Sequence, residues 1–211
     1  MPAHDSSSGA KNVSRVLLAS SNEGKLRELR SMAAGSAIQF DLLSDFRNLP
    51  AFDESAPTFS ENSAGKALHY SQFSNEIVLA DDSGLVVPSL GGAPGVQSAR
   101  YAGPEASDSD RVQKLLKAMQ NFTGDRRSAR FVCVISLAQR GRAIAVVSDF
   151  VAGFIATEPQ GARGFGYDPV FFSPALRSTF AEASEEEKNR ISHRGKAFRK
   201  VLDLFQGSQI L

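Results

Sequence analysis

The segment that most constrains this chain is an apolar run that leads directly into two adjacent carboxylates. Residues 77–80 (Ile-Val-Leu-Ala) have the composition of a buried strand, and Asp81 and Asp82 follow at once. The next pair, Ser83-Gly84, is typical of a turn, which predicts that the strand ends there. Polar residues at the carboxyl end of a strand commonly form the sites of α/β enzymes. Neighbouring acids repel, so the pair predicts either a bound cation or a solvated acidic turn.

Composition limits the classes of protein to which this chain can belong. A length of 211 residues fits a single domain or a two-lobed one, and we expect a tail at residues 1–12 followed by one domain at residues 13–211. The net charge of +1 argues against general nucleic-acid binding. The sequence has neither a long apolar run for a membrane nor a secretory signal, so we expect a cytoplasmic protein. Cys133, in an apolar stretch, is predicted to be a buried, inert thiol.

Helical and strand patterns alternate along the chain. Capping residues and apolar spacing predict helices, the last of them single or split in two, at residues 22–32, 58–71, 108–120 and 184–205. Apolar runs predict strands at residues 16–19, 77–80, 130–139 and 143–155. A hairpin turn at residues 140–142 joins the last two strands. The alternation predicts an α/β fold with a mixed sheet, without fixing the strand order.

Two segments carry residues suited to phosphate and metal. Residues 20–25 (Ser-Ser-Asn-Glu-Gly-Lys) join a strand to a helix, and backbone N–H groups at a helix start bind anions. By itself this motif favours an ordinary capped helix with an exposed lysine. Glu54 precedes the helix that carries Glu61 and Lys66, for which a solvated helix face is the alternative interpretation.

The remaining motifs suit a nucleotide base. Small residues at 91–101 predict a tight loop that something approaches closely, or a structural turn. Glycines around Phe165 and Tyr167 indicate an adaptable loop whose flat rings stack on bases, although the core is the favoured place for Tyr167. His193 and Arg194 offer donors for a carbonyl or phosphate, and the absence of a histidine pair at metal spacing argues against zinc.

Taken together in order, these blocks resemble the inosine/xanthosine triphosphate pyrophosphatase family. The resemblance spans residues 16–204, and although each block alone has modest specificity, their joint occurrence is highly specific. The blocks are Ala-Ser-Ser-Asn-Glu-Gly-Lys at 19–25, Thr-Phe-Ser-Glu-Asn at 58–62, Ala-Asp-Asp-Ser-Gly-Leu at 80–85, Gly-Gly-Ala-Pro-Gly-Val at 91–96, Ser-Ala-Arg-Tyr at 98–101, Gly-Phe-Gly-Tyr-Asp-Pro at 164–169 and Ile-Ser-His-Arg at 191–194.

The resemblance implies an elongated, two-lobed α/β protein with a central nucleotide cleft, usually a homodimer. It implies Mg²⁺-dependent hydrolysis of ITP, dITP and XTP to the monophosphate and pyrophosphate. By position, Asp82 would be the general base and a metal ligand, and Glu54, or alternatively Asp53, would be the second metal ligand. The residues that would hold the triphosphate are Ser20, Ser21, Asn22, Glu23, Gly24, Lys25 and Lys66. The residues that would bind the rest of the nucleotide are Ser83, Phe165, Gly166, Tyr167, Asp168, Lys188, His193 and Arg194.

Two other functions remain in consideration at this level. One is a pyrophosphatase of the related septum-protein type, which acts on modified pyrimidine nucleotides. It should lack the blocks at residues 164–169 and 191–194, which are present here. The other is a non-catalytic nucleotide- or RNA-binding module. The near-neutral charge and the intact pair of Asp81 and Asp82 argue against that module.

Overall fold

A computed structural model describes residues 14–207, so the tail predicted at residues 1–12 lies outside the described residues. The strands are β1 (Ser14–Leu18), β2 (Ile38–Leu42), β3 (Ile77–Val86), β4 (Ser128–Gln139), β5 (Arg142–Ile155), β6 (Phe171–Ser173) and β7 (Ser178–Thr179). The helices are α1 (Glu23–Met32), α2 (Phe59–Tyr70), α3 (Asp108–Ala118), α4 (Glu185–Ile191) and α5 (His193–Gln206). The strands form one sheet in the order β2-β1-β3-β4-β5-β6-β7. Strand β1 is parallel to β2 and β3, and the other pairs are antiparallel, so the predicted mixed α/β sheet is confirmed.

The helix starts lie where the capping residues predict them. The side chains of Asn22, Thr58 and Ser184 accept backbone N–H bonds at the starts of α1, α2 and α4. The last helical segment is two helices, because Ser192 leaves helical geometry and then caps α5. At Gly195 an added Cβ would overlap the Asn189 carbonyl oxygen, so this tight junction requires glycine.

One prediction about β3 is wrong. The strand does not end at Ser83-Gly84 but continues to Val86, so the two acids lie within it. The parallel pairing of β1 with β3 stops at Leu18 and Leu79, whereas the antiparallel pairing of β3 with β4 continues to Val86 and supports the strand beyond that point. The acids therefore lie just past the carboxyl end of β1, at the edge that β3 exposes there.

The loop at residues 91–101 explains the glycine in β3. A Cβ at Gly84 would lie 2.5 Å from the Ser98 Oγ and 2.6 Å from the Gly95 carbonyl oxygen. The Ser98 Oγ also accepts a hydrogen bond from the Leu85 N–H at 2.9 Å. Gly84 thus allows this loop to pack directly on the strand, and the close approach predicted for the loop is made by β3 itself.

The helices cover the sheet unequally. Helices α1 and α5 pack on one face, where Phe40 and Phe198 meet edge to face, and α2 packs on the other. Cys133 is fully buried, as predicted, and burial raises its pKa to about 12. Among residues 14–207, none of the helices combines the length and the apolarity needed to cross a bilayer.

Strand β5 is the least covered part of the sheet. Val146, Phe150 and Phe154 point outward on one face, and Phe150 is 52% exposed. On the side away from β4, β5 pairs with β6 only at Phe154 and Ile155 among the described residues. Along the rest of that edge, the Lys196 and Lys200 ammonium groups of α5 donate hydrogen bonds to the backbone carbonyls of Phe150 and Ser148.

Candidate active site

A cleft of about 330 Å³ opens beside β3, where β1 ends. This volume lies in the range of small-molecule sites. The cleft brings together most of the residues that the sequence predicts. Those residues are Asn22, Lys25, Glu54, Lys66, Asp82, Ser83, Phe165, Gly166, Tyr167, Asp168, Lys188, His193 and Arg194. Segments far apart in the chain therefore converge on one cavity.

Asp81 is a carboxylate whose negative charge is compensated by two neighbouring cations. It lies 2.7 Å from the Lys25 Nζ and 3.6 Å from an Arg194 nitrogen, and the Ser83 hydroxyl donates to it. Burial would raise the pKa of Asp81, but the two cations outweigh burial and hold it well below its usual range. Asp81 is therefore ionised, and each of its two oxygens has a protein partner.

Asp82 has the opposite environment, because successive side chains of a strand point to opposite faces. Its Oδ2 atom is buried and has no hydrogen-bond partner among the described residues. Burial, together with the nearby carboxylates of Glu54 and Asp81, raises the pKa of Asp82 to about 6 against the opposing effects of Asn62 and Lys25. Burial, rather than Asp81, is the main cause of the shift.

Glu54 stands near Asp82 and forms an ion pair with α2. The Lys66 Nζ lies 2.6 Å from the Glu54 Oε1, so Lys66 pairs with Glu54 and not with Glu61. Asp53, the alternative metal ligand, is exposed, bonds to the Ser55 hydroxyl and does not line the cleft. The geometry favours Glu54 as the second carboxylate of the site.

The unpaired oxygen of Asp82 shows whether this site suits a metal ion. A buried carboxylate oxygen without a donor is costly unless a cation or water meets it. Mg²⁺ is commonly held by one or two carboxylates together with substrate oxygens. Asp82 and Glu54 therefore fit a divalent cation. Within residues 14–207, no cluster of three or more His, Cys, Asp or Glu side chains is arranged to bind a metal.

The loop at residues 20–25 contributes only part of its side chains to the cleft. Ser20 is buried, and its hydroxyl accepts the Asn22 N–H at 3.0 Å, so it shapes the turn. Ser21 and Glu23 are exposed and do not line the cavity. Gly24 lines a second pocket behind Phe165. From this loop, the side chains of Asn22 and Lys25 reach the cleft.

The opposite end of the cleft is a buried charge cluster beside an aromatic ring. Lys188 and Arg194 lie over Phe165, with the Lys188 Nζ 4.8 Å and the Arg194 Cζ 5.4 Å from the ring centre. The Lys188 Nζ donates to Asp168 at 2.7 Å and to Glu28 at 3.1 Å. This end of the cleft therefore combines a flat apolar surface with donors that are held in place.

Three hydrogen bonds hold the loop that carries Phe165 in place. The Asp168 carboxylate accepts the Phe165 N–H at 2.9 Å, and the Asp108 carboxylate of α3 accepts the Gly166 N–H at 2.6 Å. Tyr167 is buried, as expected, and its hydroxyl donates to the Ser98 carbonyl at 2.8 Å. Tyr167 therefore anchors the loop, while Phe165 faces the cleft.

His193 is a buried, neutral imidazole. Its ring stacks on Phe131 with 4.7 Å between ring centres and 10° between planes. Burial and the nearby cations of Arg194 and Lys188 hold the pKa of His193 well below its usual value. Its Nδ1 atom has no partner among the described residues. His193 therefore offers one donor or one acceptor to a ligand, and no charge.

Sequence reasoning missed Glu28 and Asp108. Glu28 lies one turn after Lys25 on α1, and this i, i+3 spacing places both on one helix face, a signal that was present in the sequence. Asp108 meets Gly166 from 58 positions away, and no local pattern predicts that contact.

The sequence model of the Ham1 family matches residues 16–204 of this chain. The chain belongs to the Ham1 family. The span equals that of the resemblance seen in the sequence, which is thereby confirmed. A relative of this Ham1 chain, the dITP/XTP pyrophosphatase of Geobacillus kaustophilus, is 44% identical over 189 residues, which cover 90% of this chain and 93% of the relative.

Solved structures of Ham1 proteins share the fold. The HAM1 protein from Coxiella burnetii is 39% identical, with a TM-score of 0.83, and the match covers 92% of this chain and all of that one. The Ham1 protein of Staphylococcus aureus is 37% identical, with a TM-score of 0.81, and covers 92% and 98% of the two chains. These similarities confirm the α/β class of this Ham1 chain.

Proposed function

We propose that this chain is a nucleoside triphosphate pyrophosphatase that hydrolyses ITP, dITP and XTP to the monophosphate and pyrophosphate. The observation that carries the proposal is the buried, unpaired oxygen of Asp82 in a cleft that also holds Lys25 and Lys66. Relatives that cover nine-tenths of the chain at 41–44% identity are dITP/XTP pyrophosphatases, which supports this substrate class.

Asp82 is the group suited to activate water. A general base works best when its pKa lies near the operating pH, and in the metal-free site burial moves the pKa of Asp82 in that direction, to about 6. Asp82 takes a proton from the water that attacks the α-phosphorus. The bond between that phosphorus and the bridging oxygen breaks, and pyrophosphate leaves. Asp82 and Glu54 would hold Mg²⁺, which would neutralise charge on the triphosphate.

The lysines supply positive charge for the triphosphate. Lys25 and Lys66 each use one ammonium hydrogen in an ion pair among the described residues, so two hydrogens of each stay available. Both are more exposed than Lys188, which is enclosed at the other end of the cleft. We therefore assign Lys25 and Lys66 to the phosphates and Lys188 to the base.

The base is selected by hydrogen-bond polarity. Hypoxanthine and xanthine carry an oxygen acceptor at position 6, where adenine carries an amino donor. Arg194 and Lys188 are donors without acceptor capacity, so adenine would leave a buried donor unpaired. Mismatches of this kind can discriminate by about 10⁴-fold.

We expect Arg194→Ala to raise the KM for ITP more than it weakens binding of inorganic tripolyphosphate. Unchanged ITP kinetics would remove Arg194 from this role.

A substrate panel with and without Mg²⁺ tests the proposal. Release of pyrophosphate from ITP, dITP and XTP, and little from ATP, is the expected result. Preference for modified dUTP or UTP would indicate the septum-type activity. Orthophosphate as the product, or no release from any nucleotide, would overturn the proposed reaction, and the second outcome would favour a binding module.

We also propose a homodimer and a cytoplasmic location, where nucleoside triphosphates are made and used. The outward face of β5 supports the dimer, because Val146, Phe150 and Phe154 form a row of exposed apolar side chains. Apolar rows of this kind are typical of protein interfaces. The molar mass in solution, measured by light scattering, tests the assembly.

A further inference from the structure

Two buried cations at the base end of the cleft share one carboxylate, that of Glu28. The Lys188 Nζ lies 3.1 Å from the Glu28 Oε1, and an Arg194 nitrogen lies 2.5 Å from the Oε2. All three side chains are less than one-tenth exposed. Each oxygen of one planar group thus holds one cation, which fixes the distance between the two cations as well as their directions.

Glu28 is the central member of a longer chain of alternating charges. Asp168 pairs with Lys188 at one end, and Arg194 approaches Asp81 at the other. Burial would raise the pKa of Glu28, but Arg194 and Lys188 outweigh burial and hold it below its usual value. Without Glu28 the two cations would repel, and each would be left with a single carboxylate on its far side.

We propose that Glu28 is the positioning residue for purine selectivity, because it holds the Lys188 and Arg194 donors at the spacing that a 6-oxo purine requires. This inference rests on the proposed function and deepens it. Glu28 belongs to α1, the helix that also carries Lys25 in its first turn. One helix therefore contributes both a phosphate contact and the group that organises base recognition.

The position of Glu28 limits which part of the substrate it affects. Lys25 and Lys66 take their carboxylate partners from Asp81 and Glu54, and neither contacts Glu28. Loss of Glu28 should therefore disturb mainly the base end of the cleft, because it reaches Lys25 only indirectly, through Arg194 and Asp81. A general structural role would instead weaken all ligands to the same extent.

The test compares Glu28→Gln with wild type, using the nearly equal size of the two side chains. Equilibrium binding of IMP and AMP is measured by calorimetry, so the readout does not require turnover, and tripolyphosphate binding reports the phosphate end. We expect the preference for IMP over AMP to fall about tenfold or more, because misplaced donors lose their match to the oxygen. Tripolyphosphate affinity should change less than about threefold. The matched control is Glu186→Gln, an exposed glutamate of α4, which should leave all three affinities unchanged.

A preference for IMP that survives in Glu28→Gln, or an equal loss for all three ligands, would overturn the inference. If Glu28→Gln does not fold, Glu28→Asp replaces it, because Asp keeps the charge and has a shorter side chain. This variant should lower the preference for IMP over AMP to an intermediate value. An unchanged preference would again overturn the inference. In a double-mutant cycle with Lys188→Gln, the effects on preference should be less than additive. A wild type that binds IMP selectively but releases no pyrophosphate from ITP would refute the proposed reaction and leave the role of Glu28 standing.

Discussion

The Lys25 ammonium in the first turn of α1 lies 2.7 Å from the Asp81 carboxylate in β3, across 56 positions of sequence. This pair separates the roles of two adjacent acids. Asp81 is compensated by Lys25 and Arg194. Asp82 keeps an unpaired oxygen and a raised pKa. Two neighbouring carboxylates with pKa values pushed apart are a recurrent arrangement in acid–base sites.

Replacement of Asp82 by Asn should abolish most turnover with ITP. The amide cannot accept the proton of the attacking water, and loss of a general base commonly lowers the rate by about 10²–10⁴-fold. Pyrophosphate release under saturating ITP measures the effect, and circular dichroism verifies the fold. Asp203→Asn, at an Asp of α5 outside the cleft, serves as the control. Near-wild-type rates in Asp82→Asn would exclude Asp82 as the base.

The same variant should be more stable than wild type at neutral pH when EDTA removes metal. The pKa of Asp82 rises from 3.8 to about 6 on folding, so the native state binds more protons and loses stability as the pH rises from about 4 to 6. Asp82→Asn avoids this loss, a gain on the order of 2–3 kcal/mol above pH 7 and none near pH 3.

Thermal unfolding across this pH range measures the difference. A stability gap between the two proteins that does not depend on pH would contradict the raised pKa of Asp82. Added Mg²⁺ should raise the melting temperature of wild type more than that of the variant, because only the wild-type carboxylate can ligate the ion.

Glu54→Gln should raise the Mg²⁺ concentration needed for half-maximal activity by about tenfold, because a neutral amide is a weaker ligand for a hard cation. Asp53→Asn is the matched control, since Asp53 is the neighbouring acid and does not line the cleft. Metal titrations of pyrophosphate release compare the two. A larger effect from Asp53→Asn would assign the second ligand to that residue instead.

Gly84→Ala should destabilise the protein, because the new methyl group would lie 2.5 Å from the Ser98 Oγ and 2.6 Å from the Gly95 carbonyl. Overpacking of this kind costs about 1–3 kcal/mol, which corresponds to a fall of roughly 3–10 °C in Tm at this size. Calorimetry provides the value. An unaltered Tm in this variant would refute the close packing.

Phe150→Ser should shift the protein from dimer toward monomer, because it replaces the most exposed apolar ring of β5 with a polar group. Light scattering at several concentrations measures the mass. Phe73→Ser, at an exposed ring outside β5, is the control and should keep the assembly of wild type. A monomeric wild type would remove the basis for this interface.

The sequence predicts most of the fold because its signals are local. Thr58 and Ser184 mark helix starts by their own side chains, and the hairpin between β4 and β5 follows from apolar runs around Gly141. The end of β3 is not predictable in this way. Its continuation past Asp82 depends on pairing with β4, a partner some 50 positions away.

In the candidate site, too, local sequence signals are predictable and long-range contacts are not. Motif order locates Asp82, Lys66 and Arg194, but their partners are set by tertiary contacts. Lys66 pairs with Glu54 rather than with an acid of its own helix, and Arg194 pairs with Glu28 across 166 positions. Whether a lysine contacts phosphate or organises the base end depends on these partners, which residue spacing does not specify.

The two lysines that bind the backbone of β5 affect the tendency of the protein to aggregate. A long strand with free carbonyls is a template onto which another chain can add and grow. Lys196 and Lys200 occupy two of those acceptors and place positive charge along the rim. Helix α5 therefore hinders the addition of a strand from another molecule to the edge of β5, the strand whose outer face exposes apolar side chains.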